Sequence, residues 1–161
     1  MVQVTSIDPS AAGEQPGFEF ISHYLRDLSF EAPSGPCPPA QFPHIDLKRQ
    51  VQISVTPRGG DLHEVSLALY ATGTLEGRTL ILCELTYTAV VRLHLIPDAV
   101  APQILSVSVP ELMLPHVQQL LAGNSLLAGF PALELGGIDF LSVYQEAEAS
   151  GQIKPLQSAA S

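Results

Sequence analysis

Apolar and polar residues alternate through three long runs between residues 45 and 95, and this period of two limits that part of the chain to β-strands. Glycine-containing turn signals over residues 57–61 and 73–77 separate the runs. The alternating apolar positions of the first two runs are Ile45, Leu47, Val51, Ile53 and Val55, and then Val65, Leu67, Leu69 and Ala71. The region therefore predicts three consecutive antiparallel strands.

The third run, residues 79–95, is apolar on both faces of its predicted strand. Leu80 and Leu82 fall on one face, while the other face carries Ile81, Cys83, Leu85 and Ala89. A strand with two apolar faces is covered on both of them. In a chain of 161 residues we expect the second cover to come from another subunit.

A strand-like pattern also runs from Phe18 to Phe30, ahead of these three runs. It is followed by a proline-rich segment over residues 32–43, which predicts an extended crossing loop because proline fixes φ and lacks an N–H donor. Residues 1–16 are small and polar, which predicts a disordered leader.

The pattern becomes helical after Pro97. Ser108 and Glu111 fit a capping box at the start of a helix, and Pro115 inside that helix predicts a kink near Glu111. The apolar stripe of this helix is Leu112, Val117, Leu120 and Leu121. A second helix is expected from Asp139 as N-cap, with Phe140, Leu141 and Tyr144 facing inward.

The order of four strands and then two helices predicts an α+β domain. We expect a four-stranded antiparallel sheet with two helices packed on one side, covering residues 17–150. Residues 151–161 are expected to form a flexible C-terminal tail.

The charge balance excludes several classes of partner. Sixteen acidic residues against seven basic ones give a net charge of −9, which repels phosphate backbones and anionic lipid and favours a basic partner. We therefore expect no nucleic-acid binding. Neither a signal sequence nor a membrane span of about 20 uncharged residues is found, so we expect no membrane insertion. With two cysteines at no zinc or redox spacing, a cytoplasmic location is expected.

The motifs of catalysis and of metal or cofactor binding are missing from the sequence. The five histidines fall on separate predicted elements without metal-ligand spacing, and no phosphate-binding glycine loop or nucleophile elbow occurs. Cys83 lies within a predicted strand among aliphatic residues, as a buried structural cysteine does. We expect no catalytic residue, no metal and no cofactor. A small enzyme that uses Cys83 or a carboxylate is an alternative without support from residue spacing.

Carboxylates and a leucine point instead to a protein-binding surface. Asp27 and Glu31 share one strand face about 13 Å apart, which exceeds the roughly 6.5–9.5 Å between the carboxylates of an inverting glycosidase. Glu84 shares its strand face with Leu80 and Leu82. Such a face suits docking of a protein partner.

Four blocks of the sequence resemble, in order and spacing, the SecB family of bacterial protein-export chaperones. The resemblance extends over residues 18–146. The blocks are residues 26–33 (Arg-Asp-Leu-Ser-Phe-Glu-Ala-Pro), residues 82–85 with the apolar run that follows, residues 110–115 (Pro-Glu-Leu-Met-Leu-Pro), and residues 129–131 (Gly-Phe-Pro) followed by residues 138–140 (Ile-Asp-Phe) and Tyr144.

The resemblance implies a homotetramer, built as a dimer of dimers, that holds unfolded precursor proteins without ATP and passes them to the SecA ATPase. By position in the family pattern, the contact with SecA falls on Asp27, Glu31, Leu82 and Glu84. The client groove falls on Ile81, Cys83 and Leu85, with Phe42 as the counterpart of an aromatic residue in the crossing loop.

Three positions depart from the family pattern. Gln118 and Leu127 stand at or beside positions where arginine is usual, and His116 replaces an aromatic residue. These positions lie in the helix that is expected to form the contact between dimers. They motivate an alternative, a divergent SecB-like chaperone with a dedicated non-secretory client such as an antitoxin.

Overall fold

The computed structural model describes residues 15–151, in which four long strands form one antiparallel sheet. The strands are β1 (Gly17–Glu31), β2 (Asp46–Gly59), β3 (Leu62–Leu75) and β4 (Arg78–His94). Their order across the sheet is β1-β4-β3-β2, which leaves β1 and β2 at the two edges. The predicted α+β architecture is confirmed. The predicted leader lies almost wholly outside the described residues, as does all of the predicted tail after Gly151.

The proline-rich segment, predicted as an extended crossing loop, connects the two edges of the sheet. It contains one short 3-10 helix, Pro39–His44, and leads from the end of β1 to the start of β2. The tighter turn between β2 and β3 uses Gly59 and Gly60, whose φ angles of 98° and 60° suit glycine.

The helical layer begins earlier than predicted. A short helix α1 (Ala101–Gln103) runs into a π-helical turn (Ile104–Ser108) and then into α2 (Val109–Leu127). Ser108 has helical φ and ψ and its side chain caps nothing, so the predicted capping box is wrong. The carbonyl of Pro97 starts the helix by accepting hydrogen bonds from the N–H groups of Val100 and Ala101.

A proline explains where the widened turn lies. Pro110 has no N–H and its ring crowds the carbonyl four residues earlier, so a regular α-helical turn is disfavoured there. The N–H of Val109 bonds instead to the carbonyl of Ile104, five residues back. Farther along, α2 continues through Pro115.

The last helix, α3 (Phe140–Ala149), starts as predicted. Oδ1 of Asp139 accepts a hydrogen bond from the Ser142 N–H at 3.1 Å, and this side chain is the N-cap. Phe140 is buried and Tyr144 packs against the core. Leu141 is 40% exposed, so its predicted inward position is wrong, because one residue along a helix turns the side chain about 100° away from Phe140.

The helices cover one face of the sheet, which we call the inner face, and the core lies between the two layers. Val65, Leu67 and Leu69 of β3 are fully buried there. The helices contribute Leu105, Met113, Val117, Leu121 and Phe140, all of which are buried.

One residue of β4 departs from the predicted alternation. Gly73 pairs with Ile81 and Thr74 pairs with Thr79, so Leu80 is an extra residue in β4. This bulge lets Leu80 join Ile81 in the core, where it is 1% exposed. The prediction that Leu80 shares a face with Leu82 and Glu84 is therefore wrong.

Candidate protein-binding surfaces

The face of the sheet opposite the helices, the outer face, brings together the four residues predicted to contact a partner. In the antiparallel register Glu31 lies opposite Leu82, Ser29 opposite Glu84, and Asp27 opposite Thr86. Directly paired residues point to the same face of a sheet. Asp27, Glu31, Leu82 and Glu84 thus form one surface where β1 and β4 meet, and we call this surface the acidic corner.

A β-bulge in β1 places Asp27 on this face. Leu25 pairs with Tyr87 and Asp27 pairs with Thr86, so Arg26 is an extra residue between them. Leu25 belongs to the inner face together with the buried Tyr87. Without the bulge, strict alternation would turn either Asp27 or Tyr24 inward.

Three arginines of the outer face pair with carboxylates outside the acidic corner, whereas Lys48, which shares this face through its pairing with Thr72, makes no salt bridge within residues 15–151. Arg92 binds Glu19 at 2.9 Å and lies 3.6 Å from Asp61, while Arg26 and Arg58 both bind Glu64. Over residues 15–151, no salt bridge involves Asp27, Glu31 or Glu84. Within the described residues, the carboxylates of the acidic corner are therefore not paired with a cation.

Glu64 remains ionised despite its burial. The hydrogen bond from Arg58, joined by that from Arg26 and opposed by burial, lowers the pKa of the Glu64 carboxyl below its ordinary value. This cluster is part of the same face as the acidic corner.

Three of the four residues predicted to bind clients do not lie at an open surface. Ile81, Cys83 and Leu85 are 0%, 2% and 2% exposed, because they point to the inner face and the helical layer covers them. Contrary to the prediction, these three residues do not line an open groove in the structure. Phe42 is half-buried in the crossing loop, with its ring centroid 6.2 Å from that of Phe130. Burial, followed by the charge of Glu84, raises the pKa of the Cys83 thiol to about 11, which makes it a poor nucleophile at neutral pH.

A groove that the sequence did not predict runs along the edge strand β2. It has a volume of ≈ 990 Å³ and lies between β2 and the helical layer. Its apolar lining comes from Val51, Ile53 and Val55 of β2, from Val143, Tyr144 and Ala147 of α3, and from Pro102 of α1. Gln50, Gln52, Ser106 and Glu146 supply polar groups.

The groove is suited to an extended peptide. Among the strands described in the structure, β2 pairs only with β3. The main-chain donors and acceptors on its free edge therefore make no hydrogen bonds within the sheet and are available beside the groove. An extended segment can bind such an edge through its backbone and place alternate side chains on the apolar lining. The alternation of Val51, Ile53 and Val55 was visible in the sequence, but the position of β2 at an edge was not.

Of the three residues that depart from the family pattern, His116 packs against an aromatic ring. The His116 ring stacks on Tyr87 at 5.5 Å and 9°, and the Tyr87 hydroxyl lies 2.6 Å from Nδ1 of His23. The imidazole ring of His116 thus makes the stacking contact that the ring of the usual aromatic residue would make at this position. With Phe20, Leu112 and Met113 these residues line a small cavity of ≈ 80 Å³.

Gln118, the second residue that departs from the family pattern, forms two hydrogen bonds with the main chain. The Gln118 side chain donates to the Leu133 carbonyl at 2.8 Å and accepts from the Leu135 N–H at 2.7 Å. It fastens the extended segment after α2 to the helix. Leu127, by contrast, is 87% exposed.

Neither a metal site nor a membrane helix is found in the described part of the chain. Among residues 15–151, no three His, Cys, Asp or Glu side chains come together as metal ligands. None of the helices there has the length and apolar character needed to cross a membrane.

Comparisons with known proteins agree on one family. The model of the family described as preprotein translocase subunit SecB matches residues 11–151. Protein-export protein SecB 1 of Gluconobacter oxydans is 34% identical over 84% of this chain and 85% of its own length. Protein-export protein SecB of Hyphomonas neptunium is 33% identical over 86% of this chain and 88% of its own length.

A solved structure shares the fold at low sequence identity. It is the SecB-like chaperone Rv1957 of Mycobacterium tuberculosis, in complex with a ChAD peptide from the HigA1 antitoxin Rv1956. It is 11% identical to this chain, with a TM-score of 0.65 over 75% of this chain and 90% of the other. The likeness concerns the arrangement of sheet and helices.

Proposed function

This chain belongs to the SecB family of protein-export chaperones, and from that premise we propose that it binds unfolded precursors without ATP and delivers them to SecA. The observation that carries the proposal is the outer face, where Asp27, Glu31, Leu82 and Glu84 lie together and the three carboxylates form no salt bridge with a described residue. We also propose a cytoplasmic location and a homotetramer.

The groove beside β2 is the client site in this proposal. Its apolar lining offers burial to the side chains of an unfolded segment, and the free edge of β2 offers hydrogen bonds to the backbone. Backbone bonding and apolar burial depend little on sequence, so many precursors can bind. Such holding needs no bond to be broken, which fits a chaperone that is not an enzyme and uses no cofactor.

The acidic corner is the SecA site in this proposal. Three carboxylates attract a basic surface at long range, and the Leu82 side chain, 37% exposed, gives that contact an apolar centre. The corner and the groove lie on different parts of the molecule, since the corner is formed by β1 and β4 and the groove by β2 and α3. A client can therefore remain bound while SecA docks.

The experiment that tests delivery is a calorimetric titration of SecA with the wild type and with Asp27→Asn/Glu84→Gln. We expect the double variant to bind about tenfold or more weakly, because two carboxylates of the contact lose their charge. Glu134→Gln/Glu148→Gln is the matched control, since both of these carboxylates are exposed elsewhere on the chain. Equal affinity of all three proteins for SecA, or no binding of the wild type, would refute the proposal.

A dedicated client such as an antitoxin is the second candidate. The fold that this chain shares with Rv1957, a SecB-like chaperone solved with an antitoxin peptide, favours it. The same titration separates the two candidates, because a chaperone with a non-secretory client has no need to bind SecA. Binding to SecA with loss in the double variant supports export.

A further inference from the structure

One buried carboxylate on the outer face, Glu64, binds two arginines from different strands. Arg26 Nη2 of β1 donates to Glu64 Oε1 at 2.7 Å, and Arg58 Nε of β2 donates to Glu64 Oε2 at 3.0 Å. Glu64 itself lies on β3 and is 6% exposed. The cluster thus links β1, β2 and β3, and Arg26 reaches across β4 to join it.

The β-bulge explains how Arg26 reaches the cluster. Neighbouring strand residues normally point to opposite faces, but Arg26 is the extra residue of the bulge and its side chain lies on the same outer face as Asp27. A hydrogen bond of 3.0 Å from Arg26 Nη2 to the Tyr24 hydroxyl supports this direction. The Arg26 guanidinium binds the Tyr24 hydroxyl and the Glu64 carboxylate, and it makes no salt bridge with Asp27.

Release of Arg26 would change the charge of the acidic corner. Its long side chain is next to Asp27 in sequence and shares a face with it, so a freed guanidinium can reach the Asp27 carboxylate. Arg58 would also lose its carboxylate partner on that face. Both changes weaken the field that attracts a basic partner.

We propose that Glu64 is a positioning residue for the acidic corner: it holds Arg26 and Arg58 and so leaves Asp27 and Glu84 free for a basic partner. This inference rests on the proposed contact with SecA and adds to it a residue outside the contact. Glu64 does not touch the partner in this scheme, since the side chain is buried beneath the two arginines.

The test measures binding of two probes, SecA and a short lysine-only peptide, to wild type, Glu64→Gln and Glu64→Gln/Arg26→Gln. We expect Glu64→Gln to weaken both interactions about fivefold, because two cations are released beside the corner. The double variant has the same net charge as the wild type. We expect it to regain most of the lost affinity, although it lacks more of the cluster.

Glu19→Gln is the matched control. It removes the same charge from the same face, but it releases Arg92, which keeps Asp61 at 3.6 Å and lies at the far end of β4 from Glu84. We expect Glu19→Gln to bind both probes like the wild type. Circular dichroism of each variant verifies the fold.

Two results would overturn the inference: wild-type affinity of a folded Glu64→Gln, or a double variant that binds no better than Glu64→Gln. The second result would mean that Glu64 acts through stability alone. Failure of the proposed function looks different, because the wild type would then not bind SecA. The lysine peptide still tests the role of Glu64 in that case.

Discussion

Gln118 shows at the scale of one residue how a departure from the family pattern is accommodated. Its amide satisfies the Leu133 carbonyl and the Leu135 N–H, and both leucines are at least 95% buried. Buried main-chain groups without partners are costly, so this side chain fixes the path of the segment between α2 and α3. His116 is a similar case, since it stacks on Tyr87 as an aromatic residue would.

Gln118→Ala should destabilise the protein by about 1–3 kcal/mol, because it leaves one donor and one acceptor without partners. The free energy of unfolding from urea denaturation measures the effect. Gln145→Ala, at an exposed position of α3, is the control and should change stability little. Equal stabilities of the two variants would contradict the role assigned to Gln118.

At the scale of elements, two β-bulges and one edge strand decide what the sheet displays. The bulge at Arg26 turns Asp27 outward, and the bulge at Leu80 turns a leucine into the core. The edge position of β2 creates the groove, because β2 has a neighbouring strand on one side only within the described sheet and lines the groove together with α3.

Ala147→Glu should weaken client binding, because it puts a charge on the apolar lining of the groove. Suppression of aggregation of a precursor diluted from urea, followed by light scattering, measures the effect. We expect the variant to be needed at a concentration about threefold or more above that of the wild type. Its affinity for SecA should not change.

Ala149→Glu is the matched control for this element. It makes the same substitution in the same helix, at an exposed position outside the groove lining. We expect it to protect the precursor as well as the wild type does. Loss of protection in both variants, or in neither, would show that clients bind elsewhere.

On the scale of the whole molecule, α2 carries apolar side chains on its exposed side. Leu112, Leu126 and Leu127 are 55%, 59% and 87% exposed in the single chain. Apolar side chains exposed together along one element are typical of surfaces that pack against another protein. They are the natural contact for the proposed homotetramer.

The wild type should therefore sediment with about four times the 17.2 kDa mass of the chain. Leu112→Glu should yield smaller species, because it puts a charge into the contact. Leu95→Glu is the control, since Leu95 is also 55% exposed but lies after β4 rather than on α2. Analytical ultracentrifugation measures all three, and a monomeric wild type would contradict the proposed assembly.

Much of the fold could be predicted from the sequence because it depends on local patterns. The period of two along β2, β3 and β4 and the cap at Asp139 each involve residues that are close in the chain. The predicted start of the first helix at Ser108 was wrong, because two prolines nearby alter the backbone hydrogen bonds on which a capping box depends. Pro97 supplies an earlier first turn, and Pro110 widens the turn that contains Ser108.

The sequence by itself determined the strands, the second helix and the family, and it placed Asp27, Glu31, Leu82 and Glu84 on strand faces. Only the tertiary structure decided that these faces coincide, because the outcome depends on the register between β1 and β4 and on the bulge at Arg26. The same holds for the groove, whose lining residues come from β2 and α3, far apart in sequence. Alternation assigns a residue to one side of its own strand, whereas the packing of distant elements determines which side is covered and which stays open.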